Sequence, residues 1–343
     1  HADTPPSFPA GWRARRERDG GSCAQPRPRR RRRRLELGWW RGRQAGPRRP
    51  ADAAAADGAV WSWGFGHFGQ LGHGDEQPQW QPKKVEAFAG QRFIAVSTGR
   101  EHSLALTANG ALWSWGSGGL GQLGHGNQQR QLLPKKIEAF AGRRVVAVAA
   151  GRFHSLALTA DSAVFTWGEG ESSCLGHGED ISNQLLPKKI EAFADQRVIA
   201  VSAGSGHSLA LAAGRAIWSW GDGDYGTSGH GDEQNQLLPK KVEALAGQRV
   251  VAVSAGNFHS LAITADGSAW SWGGGAIGQL GHGDEEGQLL PRKVEALAGR
   301  RVVAVSAGRF HSLALTAALA SVSSLCRLET CTASPSPPTA PSG

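Results

Sequence analysis

The chain has 343 residues, four cysteines and no methionine, and its formal net charge is +9. Residues 1–57 hold 15 arginines against six acidic residues, whereas the remainder has 23 basic and 23 acidic residues. The overall basicity therefore says nothing about what the larger part of the chain binds. No apolar run reaches the length that a membrane-spanning helix needs, so no membrane partner is expected.

Residues 1–57 are predicted to be a disordered tail rich in Arg and Pro. The positive charges of the six consecutive arginines Arg29 to Arg34 repel one another, which disfavours a compact structure. It could bind nucleic acid through counterion release or serve as an import signal. The alternative is a solvated segment, or one that is not translated in the cell. Because the chain begins with His1 and contains no methionine, it is expected to be a fragment or the product of a mis-started reading frame. Residues 318–343, rich in Ser and Pro, are also predicted to be disordered.

Residues 58–317 consist of five tandem units, predicted at 58–109, 110–161, 162–214, 215–266 and 267–317. Equivalent tryptophans recur after 52, 52, 53 and 52 residues: Trp63, Trp115, Trp167, Trp220 and Trp272. One histidine position repeats at His102, His154, His207, His259 and His311, and a second at His73, His125, His177, His230 and His282. A period of this length indicates a solenoid, a propeller or an array.

One segment of the second unit, with closer or weaker copies in the other four, resembles a nucleotide-binding loop. In WSWGSGGLGQLGHG (113–126), Gly116, Gly118 and Gly121 match G-x-G-x-x-G. A dinucleotide site needs a helix directly after this motif. Further glycines and Pro134 exclude that helix. The glycines are therefore interpreted as a repeated turn, and no cofactor is expected.

Each unit is predicted to contain four β-strands. HSLALTANGALWSWG (102–116) forms two alternating runs joined by Asn109-Gly110, which predicts a two-residue hairpin turn with positive φ at both residues. RVVAVSAG (249–256) and LLPKKVEAL (237–245) supply two more strands, and the EAFAG and EALAG segments are predicted turns. Four strands per unit predict an all-β propeller with four-stranded antiparallel blades.

These residues carry a specific resemblance. A hairpin of the form HSLALT-x-DG-x-[VL]-[WY]-x-WG followed by GQLGHG is similar to the repeat of the regulator of chromosome condensation family, and the match covers residues 58–317. The resemblance implies a β-propeller that usually has seven blades. Five units therefore imply a partial or open propeller.

The repeated histidines and tryptophans are predicted to be structural. Catalysis needs one asymmetric constellation, whereas a residue that is needed five times is needed by the blade. The histidines are expected to bridge backbone groups through their ring nitrogens, and the tryptophans to fill the core. No cysteine or second histidine stands at metal-ligand spacing beside them. Neither catalytic nor metal-binding residues are expected, and the chain is not expected to be an enzyme.

Binding is expected where the units differ. The pairs before the repeated histidine are Arg100-Glu101, Arg152-Phe153, Ser205-Gly206, Asn257-Phe258 and Arg309-Phe310. A second variable set follows the WG glycine and comprises Phe65, His67 and Phe68, then Glu169 and Glu171, then Asp222, Asp224 and Tyr225. Variable loops on a rigid scaffold are where recognition usually occurs. The alternative is that the phenylalanines pack between blades and the arginines pair with neighbouring acids.

Three functions are weighed. The leading hypothesis is a non-enzymatic scaffold or adaptor that binds a protein through one propeller face, because relatives are often modules of larger proteins, including ubiquitin ligases. A second is guanine nucleotide exchange on a Ran-like small GTPase with chromatin association. In the founding member this activity depends on an inserted loop, and the units here differ by one residue only, within 179–183.

The third hypothesis is a light receptor resembling the plant ultraviolet-B sensor, which carries a Gly-Trp-Arg-His-Thr motif. No tryptophan precedes the repeated histidine here, so this hypothesis is the weakest. Cys23, Cys174, Cys326 and Cys331 share no spacing pattern. A reducing compartment, cytoplasmic or nuclear, is therefore expected, and nucleic acid is expected to bind only through the basic tail.

Overall fold

A computed structural model describes residues 58–88 and 90–317. The predicted tails, and with them Cys23, Cys326 and Cys331, lie outside the described residues. In chain order the strands are β1 (Trp61–Gly64), β2 (Gln79–Lys84), β3 (Phe93–Thr98), β4 (His102–Thr107), β5 (Leu112–Gly116), β6 (Gln131–Lys136), β7 (Val145–Ala150), β8 (His154–Thr159), β9 (Val164–Gly168), β10 (Gln184–Lys189), β11 (Val198–Ala203), β12 (His207–Ala212), β13 (Ile217–Gly221), β14 (Gln236–Lys241), β15 (Val250–Ala255), β16 (His259–Thr264), β17 (Ala269–Gly273), β18 (Gln288–Lys293), β19 (Val302–Ala307) and β20 (Ser312–Thr316).

The strands form four complete antiparallel blades: blade I (β3–β6), blade II (β7–β10), blade III (β11–β14) and blade IV (β15–β18). Two-stranded sheets flank them, and we call these the N-terminal half-blade (β1–β2) and the C-terminal half-blade (β19–β20). Within residues 58–317 the two half-blades do not pair with each other. The all-β, partial propeller predicted from the repeat is confirmed.

Each blade is shifted by half a repeat relative to the sequence unit. The unit 110–161, for example, contributes its first two strands, β5 and β6, to blade I and its last two, β7 and β8, to blade II. Every unit between the two half-blades therefore joins two neighbouring sheets covalently. This arrangement ties the blades together, because no unit can complete a sheet by itself.

The hairpin turn between the second and third strands differs from the prediction. Thr107 N–H donates to Ala111 O (3.0 Å) and Gly110 N–H to Thr107 O (2.9 Å), which closes a three-residue loop. Gly110 has φ +87°, whereas Asn109 is not among the positive-φ residues. The prediction of a two-residue turn with two positive φ angles is therefore wrong. A type I turn followed by one left-handed residue replaces it.

Two other units place a side chain at that left-handed position. Ser162 has φ +67° and Arg215 has φ +69°, where blades I and IV have Gly110 and Gly267. Residues other than glycine pay a steric cost in this region. The predicted EAFAG and EALAG turns each form a single 3-10 turn, in four of which an apolar side chain is buried: Phe88, Phe140, Phe193 and Leu245.

The core lies between neighbouring blades. Leu104 and Leu106 of blade I share a cluster with Phe140 and with Trp167 of blade II, and Leu156 and Leu158 of blade II share one with Trp220 of blade III. In the C-terminal half-blade, Leu313 is 53% exposed although the equivalent Leu104 is fully buried. Core burial therefore depends on the next blade being present.

Candidate functional site

The repeated histidines of the second strand cross from one blade to the next. His102 Nε2 lies 2.9 Å from Ser155 Oγ, and that hydroxyl donates to Gln122 O (2.9 Å). Because the serine proton is used on the carbonyl, its oxygen must accept from the histidine, which places the imidazole proton on Nε2. Trp167 Nε1–H donates to the same carbonyl (2.9 Å). We call this four-residue arrangement the seam.

The seam recurs around the described blades. Between blades II and III it comprises His154, Ser208, Cys174 and Trp220, and between blades III and IV it comprises His207, Ser260, Thr227 and Trp272. His259 bonds Ser312 of the C-terminal half-blade at 2.8 Å. Each of these histidines thus bonds a serine hydroxyl of the next blade through Nε2, so the expected bridge between backbone groups is wrong. Glycine is needed beside each ring, since a Cβ at Gly151 would collide with His154.

The seam histidines are neutral and unsuited to acid–base work at neutral pH. Burial lowers the pKa of His102 and His259 to about 4 and that of His154 and His207 to about 3. The Nδ1 atoms of His102, His154 and His259 have no hydrogen-bond partner among the described residues. A site that relays protons would require access to these atoms, and they are buried.

The second histidine set acts within a blade. His125 Nε2 lies 3.0 Å from Ser114 Oγ, and Ser114 donates to Leu123 O at 2.7 Å. Equivalent bonds hold His73, His177, His230 and His282. Burial and the nearby Lys135 charge lower the pKa of His125 to about 4. Among the described residues, no three His, Cys, Asp or Glu side chains could together hold a metal ion. The described part of the chain also contains no helix that could span a membrane.

The variable pairs lie in the turns that join the first strand of each blade to the second, and we call the end of the blades formed by these turns the rim. Backbone hydrogen bonds connect successive rim turns. Arg152 N–H donates to Gly204 O (3.2 Å), Ser205 N–H to Gly256 O (3.3 Å) and Asn257 N–H to Gly308 O (3.2 Å). The turns of blades II to IV and of the C-terminal half-blade therefore form a continuous belt.

A cationic sector occupies the rim of blades I and II. The guanidinium carbons of Arg100 and Arg152 lie 5.5 and 4.9 Å from the Phe153 ring centroid. Arg100 also pairs with Glu101 at 3.6 Å. Arg152 forms no ion pair with any described residue and is exposed. The alternative of arginines paired with acids therefore holds for Arg100 but not for Arg152.

An aromatic row occupies the rim of blades III and IV and of the C-terminal half-blade. Tyr225 meets Phe258 edge to face at 5.6 Å, and Phe258 stacks on Phe310 at 5.8 Å. Arg309 lies 4.7 Å from the Phe310 centroid. Tyr225 is 55% exposed and Phe310 47% exposed, so these two rings are not packed away between blades.

Tyr225 adopts an unusual backbone conformation, φ +61°. A bulky residue in the left-handed region is strained and is held there by its surroundings. Tyr225 lies in a short 3-10 turn, Asp224–Gly226, whose first residue is anchored by donation of Asp224 N–H to Asp222 Oδ1 (2.9 Å). Nothing in the sequence signalled this strain.

Acidic side chains lie beside the aromatic row. Burial, followed by the charges of Asp224 and Glu169, raises the pKa of Asp222, against the effect of the Asp224 N–H bond. Glu169 follows the WG glycine of blade II and accepts from Ser172 N–H (3.0 Å). Within the described residues, Asp222, Asp224 and Glu169 form no ion pair with a basic side chain. All three belong to the variable set that follows the WG glycine.

Comparison with known proteins agrees with the architecture. Residues 50–322 match the family model described as RCC1-like domain. The chain is 39% identical over 264 residues to human E3 ubiquitin-protein ligase HERC2 and 38% identical over 258 residues to the Arabidopsis thaliana Ultraviolet-B receptor UVR8. These matches cover 76% and 75% of this chain but only 5% of HERC2 and 58% of UVR8.

Solved structures that share this fold point to the same family. The yeast protein Prp20p, from Saccharomyces cerevisiae, is 26% identical with a TM-score of 0.68, over 79% of this chain and 67% of that one. Human WBSCR16 is 27% identical with the same TM-score, over 76% of this chain and 67% of its own. The chain therefore belongs to the RCC1-like domain family.

Proposed function

We propose that the chain is a non-enzymatic interaction module whose rim binds an acidic segment of a partner protein. The observation that carries this proposal is the placement of both Arg100 and Arg152 against the Phe153 ring, with Arg309 against Phe310. Arginine on an aromatic ring is pre-organised for carboxylates, and both residue types are enriched in binding hot spots.

The relatives support a protein partner in general terms. HERC2 is named as a ubiquitin ligase, and Prp20p is described as having binding properties to Gsp1p and histones. Both statements concern those proteins. Since this chain matches 5% of HERC2, a role within a larger assembly is part of the proposal.

No specific observation favours either of the two alternative functions, nucleotide exchange and light reception. The extra residue of the third unit lies in a short loop fastened by Asp180 and Lys188 (2.5 Å), so it does not provide the protruding element that nucleotide exchange would need. UVR8 is about as similar as HERC2, yet the rim turns GREHS, GRFHS, GSGHS, GNFHS and GRFHS lack the receptor motif's tryptophan.

The test measures binding of a fluorescent peptide of alternating Glu and Gly to a chain that begins at Gly58, so that the arginine-rich tail cannot bind it. Arg152→Ala with Arg309→Ala should weaken binding at least fivefold without altering thermal unfolding. The matched control is Arg197→Ala with Arg249→Ala, which removes two exposed charges just before β11 and β15, at the opposite end of the blades. Equal losses in both pairs would contradict a rim site.

A further inference from the structure

The two half-blades are complementary parts of one blade. Strands β19 and β20 occupy the first and second positions of a blade, as β3 and β4 do, whereas β1 and β2 occupy the third and fourth. In every complete blade the second strand pairs antiparallel with the third. Among the described residues, the facing edges of β20 and β1 have no strand partner. An open strand edge can pair with a strand of another chain.

The edge at β20 exposes apolar side chains that are buried in every complete blade. Leu313 is 53% exposed and Leu315 47%. The residues at these two positions of the complete blades are at most 5% exposed: Leu104, Leu106, Leu156, Leu158, Leu209, Leu211, Leu261 and Ile263. In blade I this cover comes from the second half of the same blade and from the next blade. The C-terminal half-blade therefore lacks both layers.

The seam between the N-terminal half-blade and blade I is incomplete. Ser103 Oγ donates to Gln70 O (2.9 Å), and Trp115 Nε1–H donates to the same carbonyl (2.8 Å). No described histidine reaches Ser103, although the equivalent serines of blades II to IV each bond one. This seam therefore has its serine, carbonyl and tryptophan but lacks a histidine from a preceding second strand.

The seam between blade IV and the C-terminal half-blade lacks a different member. Ser312 Oγ lies 2.8 Å from His259 Nε2 and donates to Gln279 O (2.7 Å). No described tryptophan donates to Gln279 O, although the equivalent carbonyls of blades I to III each accept from one. This seam therefore lacks a tryptophan from a following third strand.

One pairing of β20 with β1 of a second copy supplies both missing members. The register of blade I pairs His102 with Gly116 and Leu104 with Ser114. Applied to the half-blades, it pairs His311 of one copy with Gly64 of the other, and Leu313 with Ser62. At the same positions, Trp63 of the second copy faces Gln279 O of the first, and His311 of the first copy faces Ser103 of the second.

We propose that copies of this chain associate head to tail, with β1 of one copy added to β20 of another, so that two half-blades form one further complete blade. A second copy fits this edge because it presents the matching strand, the two missing seam members and the cover for Leu313 and Leu315. The contact joins unlike edges, so each copy keeps one edge of each kind for another neighbour and assembly extends beyond the dimer. This inference is independent of the proposed use of the rim.

The first experiment tests the register by disulfide cross-linking of full-length chains in which Cys23, Cys326 and Cys331 are replaced by Ser. Directly opposed residues of antiparallel strands lie about 4.5–5.5 Å apart at Cα, which a disulfide can span. A chain with Trp61→Cys, mixed with a chain with Ala314→Cys, should give an oxidised dimer. The matched control replaces Trp61→Cys by Ser62→Cys, whose side chain points to the other face of the strand, and should give little dimer.

The second experiment measures the weight-average mass of the full chain by sedimentation, from about 1 to about 100 µM. The salt is about 0.5 M NaCl, which screens the arginine-rich tail. The mass should rise with concentration above that of one chain. Leu313→Glu should raise the dissociation constant at least about tenfold, because it places a charge in the junction. Val303→Glu is the control: Val303 is 47% exposed, but so is Val146 (43%) in complete blade II, and the constant should change less than about twofold.

Three outcomes would overturn the proposal. A mass of one chain at every concentration would exclude association. Equal effects of Leu313→Glu and Val303→Glu, or equal cross-linking of the two cysteine pairs, would show association through another surface. A monomeric cross-link in a chain that carries both Trp61→Cys and Ala314→Cys, with none between separate chains, would show that the half-blades close on each other within one molecule. If Leu313→Glu fails to fold, the cross-linking decides alone.

Discussion

The seam and the rim are built from residues that lie only a few positions apart in each unit, yet one is nearly identical between units and the other is not. His154 belongs to the seam, while Arg152 and Phe153, directly before it, belong to the rim. A seam residue must satisfy the next copy of the same unit, so its chemistry is fixed by the repeat itself. The side-chain contacts between rim residues of neighbouring units differ from one pair to the next, Arg100 on Phe153 but Phe258 on Phe310, so the chemistry of a rim residue is free to follow a partner.

The seam also tolerates change where only a backbone atom is used. The accepting carbonyl belongs to Gln122 at one seam, Cys174 at the next and Thr227 at the third. Side-chain identity is irrelevant to a backbone acceptor. Cys174 is buried, burial raises the pKa of its thiol, and its S–H donates to Glu169 O (3.1 Å), so the thiol is packed rather than reactive.

The largest expected effect is the pH dependence that the seam imposes. The histidine pKa values are about 3 to 4 when folded, below the unfolded value of about 6.5. The unfolded chain therefore binds more protons below pH 6.5. Stability is fully present above that pH and is lost as the pH falls toward 4.

Between pH 7 and 5 we expect a loss of about 2 kcal/mol of unfolding free energy for each of the four seam histidines, about 8 kcal/mol in all, measured by urea denaturation. His154→Gln should reduce this pH dependence by about one proton. An unchanged slope in that variant would show that His154 is not buried in its neutral form.

Removal of a seam tryptophan should have the next-largest effect on the unfolding free energy. Trp220 is fully buried and donates to Cys174 O (2.8 Å), so Trp220→Ala should cost about 3–5 kcal/mol through the cavity and the loss of one of the two hydrogen bonds to that carbonyl. Trp80, which is 80% exposed, is the matched control, and Trp80→Ala should change stability by less than about 0.5 kcal/mol. Similar costs in the two variants would contradict the interblade core.

At the opposite end from the rim, glycine should stabilise the hairpin turns. Ser162→Gly and Arg215→Gly place glycine at a left-handed position where blades I and IV already have it, and each should gain about 1 kcal/mol. Asn109→Gly is the control, because Asn109 is not left-handed, and it should give no gain. Destabilisation by Ser162→Gly would mean that its side chain has an unrecognised contact.

The smallest effect is expected at Tyr225. Tyr225→Gly removes the contact with Phe258, worth about 0.5–1.5 kcal/mol, but relieves the strain at φ +61°, worth about 1–2 kcal/mol. The net change in unfolding free energy, measured by urea denaturation, should therefore lie within about 1 kcal/mol. A large loss of stability would show that the Tyr225 side chain contributes to packing of the blades, as the seam residues do, and is not free for binding at the rim.

The sequence by itself determined the repeat, the strand content and the division between constant and variable positions. Recurrence of Trp and His every 52 or 53 residues was enough to assign them to structure, because a catalytic site is not needed five times. The variable pairs, such as Arg152-Phe153, could be named as rim candidates for the same reason.

Only the tertiary structure decided which atoms meet. His102 reaches Ser155 and Trp167 reaches Gln122 across 53 and 45 residues, and no local pattern encodes which neighbour a side chain contacts. The half-repeat shift of the blades and the left-handed backbone of Tyr225 likewise depend on the assembled sheets. Periodicity records what each unit shares, whereas contacts between unlike residues of adjacent units depend on the assembled sheets.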